Sequence, residues 1–197
     1  MDQKQTEHYK SLYTNELGHL TESEIEHVAR HLNVQVLKKG DFLLKRGEVQ
    51  KGLGFIVKGL IRRYYINDKG NDITTGFYKE MEYITDYPAF IRQKPTKYFL
   101  RCLEDSVVIT VPFNIIQESY NSYENGQLYG RLMAEKVLTL QSDRIEDFLF
   151  YTAEERYLKF FKSQPELMNR VSLTHLSTYL GIERQSLSRI RKRLLSK

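Results

Sequence analysis

The sequence predicts an α+β chain in three parts: a glycine-punctuated β domain, a long helix and a C-terminal helix-turn-helix. Three observations predict it. Between residues 33 and 111, short runs rich in Val, Ile, Phe and Tyr are separated by glycines, the pattern of short strands joined by turns. From about Gln127 to Tyr151 the apolar residues keep helical spacing. Val171 to Lys197 reads as two short helices around Gly181, the second crowded with cations.

Taken in order, residues 1–20 are polar, with a helix expected around His8 to Leu17. Thr21 and Glu24 form a capping box, each side chain able to satisfy the other's backbone N–H, and Ile25, Val28, Ala29 and Leu32 continue as an amphipathic helix. His27 and His31 stand four apart, but a zinc site takes three or four protein ligands, so no metal is expected. Strands are expected at Val34–Leu37, Phe42–Leu44, Phe55–Val57, Leu60–Ile66, Ile73–Tyr78, Tyr98–Cys102 and Val107–Val111, with Gly52–Gly54 read as punctuation. They suggest an antiparallel sandwich or barrel. Asn67 to Asn71 is a hairpin turn in which Gly70 supplies a positive φ. Met81–Ile91 reads as helical or irregular, and Cys102 as a small core side chain.

Phe113, Ile116 and Tyr120 mark a short helix, and Asn121 to Gly126 a break. In the long helix, Ala134, Leu138, Gln141, Ile145 and Phe148 follow a four-three heptad spacing. That row suits a coiled seam with a second copy of the chain, so a homodimer is expected. Thr152 and Glu155 repeat the capping-box pattern, Tyr157, Leu158 and Phe161 supply core residues, and Pro165 ends the helix.

In the last segment Leu173, Leu176 and Leu180 share one helix face, and Leu187, Ile190 and Leu194 another. Ser172 or Thr174 can cap the first helix. Small Ser177 falls where two helices cross, and Gly181 falls in the turn. Arg184, Arg189, Arg191, Lys192, Arg193 and Lys197 then follow with no acidic residue after Glu183. This spacing is the helix-turn-helix signature and points to double-stranded DNA.

Composition narrows the function. With 41% apolar residues, 14 Tyr and 10 Phe, the 197 residues can build a real core. No apolar run is long enough to span a membrane, the N-terminus lacks a signal-peptide core, and a cytoplasmic protein is expected. The one cysteine excludes an intrachain disulfide and a four-cysteine iron–sulfur site. Of the 30 basic and 25 acidic residues, 10 and 4 fall in residues 151–197, a net of +6, leaving 20 and 21 in residues 1–150, a net of −1. A basic C-terminal unit on a near-neutral body is the footprint of nucleic-acid binding. The alternative is a ligand-binding module whose basic tail contacts an acidic protein. No P-loop, dinucleotide fingerprint or catalytic set is legible, so no enzyme and no catalytic residue is expected.

The stretch VLKKGDFLLKRGEVQKGLGFIVKGLIRRYYINDKGND, with GIERQSLSRIRKRL near the end, resembles the CRP/FNR family of bacterial transcription regulators over nearly the whole chain. The resemblance implies a double-stranded, jelly-roll-like β-roll sensor of the cyclic-nucleotide-binding type at residues 1–115. It implies a connecting and dimerisation helix at 116–151 and a helix-turn-helix domain at 152–197. It implies a homodimer on a palindromic operator, RNA polymerase as a further partner, and a small-molecule effector in the β-roll. Arg184, Gln185 and Arg189 fall on its base-reading positions, and Ser186 and Ser188 where phosphate contacts are common. Forked arginines match guanine and a glutamine matches adenine. Lys192, Arg193 and Lys197 read as phosphate contacts. The family usually has Glu where Gln185 stands.

Cyclic-nucleotide binders of this family carry a Gly-Glu pair and an Arg-Ser/Thr-Ala run. Here Met81-Glu82 and Thr96-Lys97-Tyr98 stand in those places. Glu82, Thr96, Lys97 and Tyr98 are therefore the expected effector-pocket residues. Losing the arginine fork argues against cyclic AMP, and no cofactor is expected.

Overall fold

The computed structural model describes residues 3–18 and 20–195. Two helices open the chain, α1 (Gln3–Asn15) and α2 (Glu22–Ala29). Both halves of the α2 capping box form: Thr21 N–H donates to Glu24 Oε2 at 2.7 Å and Glu24 N–H to Thr21 Oγ1 at 3.4 Å.

The strands are β1 (Asn33–Leu37), β2 (Phe42–Leu44), β3 (Gly52–Lys58), β4 (Ile61–Ile66), β5 (Asp72–Tyr78), β6 (Tyr83–Ile84), β7 (Phe99–Cys102) and β8 (Ser106–Pro112). They form two four-stranded sheets, ordered β1-β8-β3-β6 and β2-β7-β4-β5, with antiparallel pairing in both. The inner faces meet through Leu44, Ile56, Ile61, Ile84, Leu100, Cys102 and Val108. α1 and α2 cover the outer side of the first sheet, where Tyr13, Leu17 and Val28 pack on Phe55, Val57 and Ile109.

Two details differ from the expected strands. Gly52 and Gly54 lie inside β3 rather than in a turn. A Cβ on Gly54 would come within 2.8 Å of Ile84 Cγ2, so the glycine is there to let β6 approach. The expected irregular stretch from Met81 contains β6 and then α3 (Tyr87–Ile91).

α4 (Phe113–Ser122) is followed after Tyr123 alone by α5 (Glu124–Phe150), so the expected break is much shorter than six residues. At 1.5 Å per residue, the 27 residues of α5 extend about 40 Å. The remaining elements are α6 (Ala153–Ser163), a 3-10 helix at Pro165–Asn169, α7 (Leu173–Leu180) and α8 (Arg184–Leu195). Phe161 does not join the core as expected and is 48% exposed; Phe160 is buried. Tyr157 and Phe160 reach the core, while Phe161, one turn after Tyr157, stacks on the Tyr157 ring at 6.5 Å with its other side open.

The C-terminal helices and the β-sheet share a core. Leu60 and Phe77 of the sheet region pack with Tyr157, Phe160, Leu167, Leu176, Leu180, Leu187 and Ile190. Among the described residues no helix is long and apolar enough to cross a membrane.

Candidate nucleic-acid interface

Local chemistry sets the two C-terminal helices. Ser172 caps α7 by accepting from His175 N–H at 3.1 Å. Gly181 ends it in the left-handed region at φ 69°, where an L side chain is strained. A Cβ there would also lie 2.6 Å from Phe148 Cε1. Ile182 N–H then bonds the Ser177 carbonyl at 3.0 Å, and buried Ser177 lets the helices close. Leu187 and Ile190 anchor α8 in the core.

Arginines secure the C-terminal end of α7. Arg156 donates from Nε and Nη2 to the Leu180 carbonyl at 3.1 and 3.0 Å, and Arg144 donates to the Tyr179 carbonyl. Cations suit the carbonyl end of a helix. The Arg144 guanidinium also lies 3.8 Å from the Tyr179 ring centroid and 4.5 Å from that of Phe148, and Arg156 lies 4.8 Å from Phe148. Burial lowers the Arg144 pKa below the ordinary arginine value. Phe148, expected in the heptad row, is therefore engaged by the turn and these arginines, although 45% of it stays exposed.

α7 docks on β5. Thr178 Oγ1 and Thr74 Oγ1 are 2.8 Å apart, and Thr74 N–H donates to Thr178 Oγ1 at 3.2 Å. Buried Arg62 supports Thr74 from Nε at 2.8 Å and pairs with Asp72 at 2.6 Å. Arg170, after the 3-10 helix, binds Glu80 and Glu104 of the β domain. Lys79 and Glu166 make a further ion pair between the two regions. This ionic docking had no signal in sequence, because its partners lie 66 to 90 residues apart.

Arg184, Gln185, Ser188 and Arg189 are exposed on α8, and Ser186 is half-buried. Ser186 Oγ accepts from Arg189 Nη2 at 3.3 Å, and the Ser188 hydroxyl donates back to the Arg184 carbonyl at 3.1 Å. Lys192 is exposed, and Arg193 pairs with Glu154. Lys197 lies outside the described residues. Three long polar side chains, Arg184, Gln185 and Arg189, thus project from a helix held rigidly from below.

Among the expected effector residues, Thr96, Lys97 and Tyr98 contact one another, Tyr98 N–H donating to Thr96 Oγ1 at 3.1 Å. Glu82 accepts from Lys79 N–H at 3.0 Å, and burial raises its carboxyl above the ordinary glutamate value. Buried Thr96 donates to Asp86 Oδ2 at 2.7 Å. Lys97 is exposed, its ammonium 5.4 Å from the Tyr98 ring centroid. Arg63 lies 5.0 Å from the centroid of Tyr98 and 5.5 Å from that of Tyr78, and bonds Thr75 Oγ1 at 3.0 Å. Sequence reasoning missed Arg63, whose alternation on β4 puts it on the opposite face from Arg62. A cleft of about 350 Å³ lies elsewhere, lined by Tyr87, Tyr120, Asn121, Gln127, Gly130 and Arg131.

The architecture is that of a β-roll joined by a long helix to a helix-turn-helix. Comparison with known proteins agrees. Residues 34–123 match the cyclic nucleotide-binding domain family. The chain is 28% identical over 168 residues to Electron transport regulator A of Shewanella oneidensis, and 26% identical over 165 residues to the Fumarate and nitrate reduction regulatory protein of Yersinia pestis. Each alignment covers 78% of this chain and 65% of the relative, so the chain spans about two thirds of the length of these relatives. Among solved structures, FixK2 of Bradyrhizobium japonicum matches with a TM-score of 0.72 at 15% identity, over 84% of this chain and 85% of that one. A regulator from Eubacterium rectale assigned to the CRP/FNR family matches with a TM-score of 0.72 at 16% identity, over 90% and 84%. The chain is thus similar in sequence to named bacterial regulatory proteins and has the fold of solved CRP/FNR regulators.

Proposed function

We propose that this chain is a sequence-specific DNA-binding transcriptional regulator that acts as a homodimer. The observation that carries the reading is α8. Its buried side is locked by Leu187 and Ile190, while its exposed side presents Arg184, Gln185 and Arg189 with no acidic residue in the helix. Arg184 and Arg189 read guanine edges, Gln185 reads adenine, and Lys192, Arg193 and Lys197 hold phosphates together with Ser186 and Ser188. Arg193 exchanges Glu154 for phosphate on binding.

In this reading residues 1–115 sense, 116–151 connect and dimerise, and 152–197 bind DNA. The homodimer is supported by α5, where Leu138 and Ile145 are 68% and 60% exposed and Leu149, on the same face, is also exposed. Such a stripe on one helix calls for a partner. An effector enters beside Glu82, Thr96, Lys97 and Tyr98 and differs from cyclic AMP, since no arginine fork stands in that run. RNA polymerase is the further partner of such a regulator, and no enzymatic activity is part of the proposal.

Selection of duplexes from a random pool by the purified protein tests the reading. Enrichment of a palindrome with half-sites about 34 Å apart, one helical turn, or a multiple of it, is expected. A pool that stays random would contradict it.

A further inference from the structure

One face of α5 is tied down at both ends and left open in the middle. Tyr129, Lys136, Leu140 and Arg144 follow one another at spacings of seven and four, so they share that face. Near the start of α5, Tyr129 Oη lies 2.5 Å from Tyr83 Oη of β6. Toward the other end, Arg144 bonds the carbonyl of Tyr179, whose ring packs on Phe77 of β5 at 5.3 Å. Between these ties Lys136 and Leu140 are exposed, Leu140 by 59%. At 100° per residue this face is opposite the one that carries Leu138 and Ile145. Charges identify what lies across from it. Burial outweighs the Lys79 and Lys136 charges at Glu82, and at Arg144 the like charges of Arg156 and Arg63 add to burial. Glu82 and Arg63 thus form the β-domain wall of a space whose other wall is the middle of α5.

Arg63 is the unfinished group in that wall. It is half-buried, with its guanidinium near the rings of Tyr98 and Tyr78. Its Nε donates to Thr75 Oγ1 and its Nη1 to the Thr85 carbonyl at 3.3 Å. Nη2 has no partner, and among the described residues no carboxylate stands within ion-pair distance of Arg63. The acids of the region are turned elsewhere. Asp86 accepts from Thr96 Oγ1, and Glu82 accepts from Lys79 N–H. Arg63, Lys97, Lys136 and Arg144 outnumber these two carboxylates, so the balance of charge is positive. A half-buried guanidinium without an anion is costly, and its planar fork matches a carboxylate.

We propose that this space takes a small aromatic carboxylate, its charged end on the open side of the Arg63 fork and its ring between Tyr98 and Leu140. The proposal rests on the reading of an effector beside Glu82, Thr96, Lys97 and Tyr98 and names the class of that effector. One fork suits one negative charge, whereas a phosphate dianion would bring a second charge toward Glu82 and Asp86. Tyr98 offers a stacking face and Leu140 an uncovered apolar side chain, so a ring gains at both of its surfaces.

Isothermal titration of the full chain with benzoate, 3-phenylpropanoate and 1-naphthoate tests the assignment, with benzamide and inorganic phosphate as comparisons. At least one of the acids binds, and benzamide, which has the shape of benzoate without the charge, binds at least about tenfold more weakly than benzoate. Arg63→Gln weakens the acids about ten- to 100-fold. Arg63→Lys recovers only part of the loss, because an ammonium lacks the fork. Leu140→Ala, at an exposed position where folding is not at stake, weakens naphthoate more than benzoate. Equal affinity for benzoate and benzamide overturns the proposal, and so does acid binding that Arg63→Gln leaves unchanged. Tighter binding of inorganic phosphate overturns the assigned class and leaves an effector site in place. Absence of heat with all three acids overturns the proposal as well. Duplex selection is measured without these compounds, so it judges the DNA reading separately.

Discussion

Arg170 grips Glu80 through two parallel hydrogen bonds, Nη1 to Oε2 at 2.9 Å and Nη2 to Oε1 at 2.8 Å. The same guanidinium reaches Glu104 from Nε at 2.9 Å and from Nη2 at 2.7 Å. One cation at the entrance to the helix-turn-helix thus gathers two carboxylates from separate turns of the β domain. Burial alone would raise the Glu80 carboxyl, but the Arg170 bonds and backbone N–H groups outweigh it and leave Glu80 below its ordinary value.

Arg170→Ala leaves Glu80 and Glu104 facing each other unpaired. The expected loss is about 1–3 kcal/mol, or roughly 3–9 °C in Tm for a chain of this size, read by calorimetry. Because the folded Glu80 carboxyl is depressed, its contribution is present above the unfolded pKa and is lost as pH falls through the folded one. The wild type therefore loses more stability than Arg170→Ala between about pH 5 and pH 3. Parallel curves would contradict the clamp.

His175 gives the docking of α7 a second pH dependence. Burial and then Arg62 lower its pKa, Arg101 adds to them, and Asp72 opposes them. Its Nδ1 is buried without a hydrogen-bond partner. Docked α7 therefore favours the neutral imidazole, and stability falls as pH drops below about 6.5. His175→Gln, which stays neutral, should flatten the unfolding profile between about pH 7 and pH 5.5. An unchanged slope would rule this linkage out.

Two backbone positions make opposite predictions. Gly181→Ala places a side chain at φ 69° and against Phe148, and should cost about 1–3 kcal/mol. Met81 stands where the family's glycine is expected and adopts φ 65°. Met81→Gly should relieve about 1–2 kcal/mol of left-handed strain, offset by about 0.4–1 kcal/mol of unfolded-chain entropy. Urea unfolding should show the first variant weakened and the second modestly strengthened.

The apolar stripe of α5 predicts its own assembly. Leu138→Glu with Ile145→Glu should turn a dimer into a monomer in analytical ultracentrifugation, with dissociation at least about 100-fold easier. Unaltered far-ultraviolet circular dichroism would separate loss of pairing from loss of folding. A wild type that sediments as a monomer at all concentrations would contradict the homodimer.

Legibility in the sequence followed the range of the interactions. The helix-turn-helix was readable because Ser172, Ser177, Gly181 and the Leu and Ile spacing act within two turns of helix. Both capping boxes, Thr21 with Glu24 and Thr152 with Glu155, were readable because each spans four residues. Gly54 was misread because its reason is Ile84, thirty residues away on β6. Phe161 was misread because it keeps the i+4 spacing to Tyr157 and stacks on its ring, yet Phe160 takes the place in the core. The Arg170 clamp, the Thr74–Thr178 contact and the arginines around Phe148 exist only once the C-terminal helices meet the sheet. Among the candidate site residues, Arg184, Gln185 and Arg189 are exposed on α8. The hydrogen bond within α8 made by Ser188 and the pairing of Arg193 with Glu154 needed coordinates.

Equilibrium binding of the wild type and Arg184→Ala to the selected duplex and to a scrambled one tests the central claim most directly. Fluorescence anisotropy at several salt concentrations gives all four constants. The wild type should prefer the selected duplex by at least about 1,000-fold. Arg184→Ala should lose about 1–3 kcal/mol on the selected duplex, and markedly less on the scrambled one. Equal wild-type affinity for the two duplexes, with no effect of the substitution, would contradict sequence-specific recognition by α8.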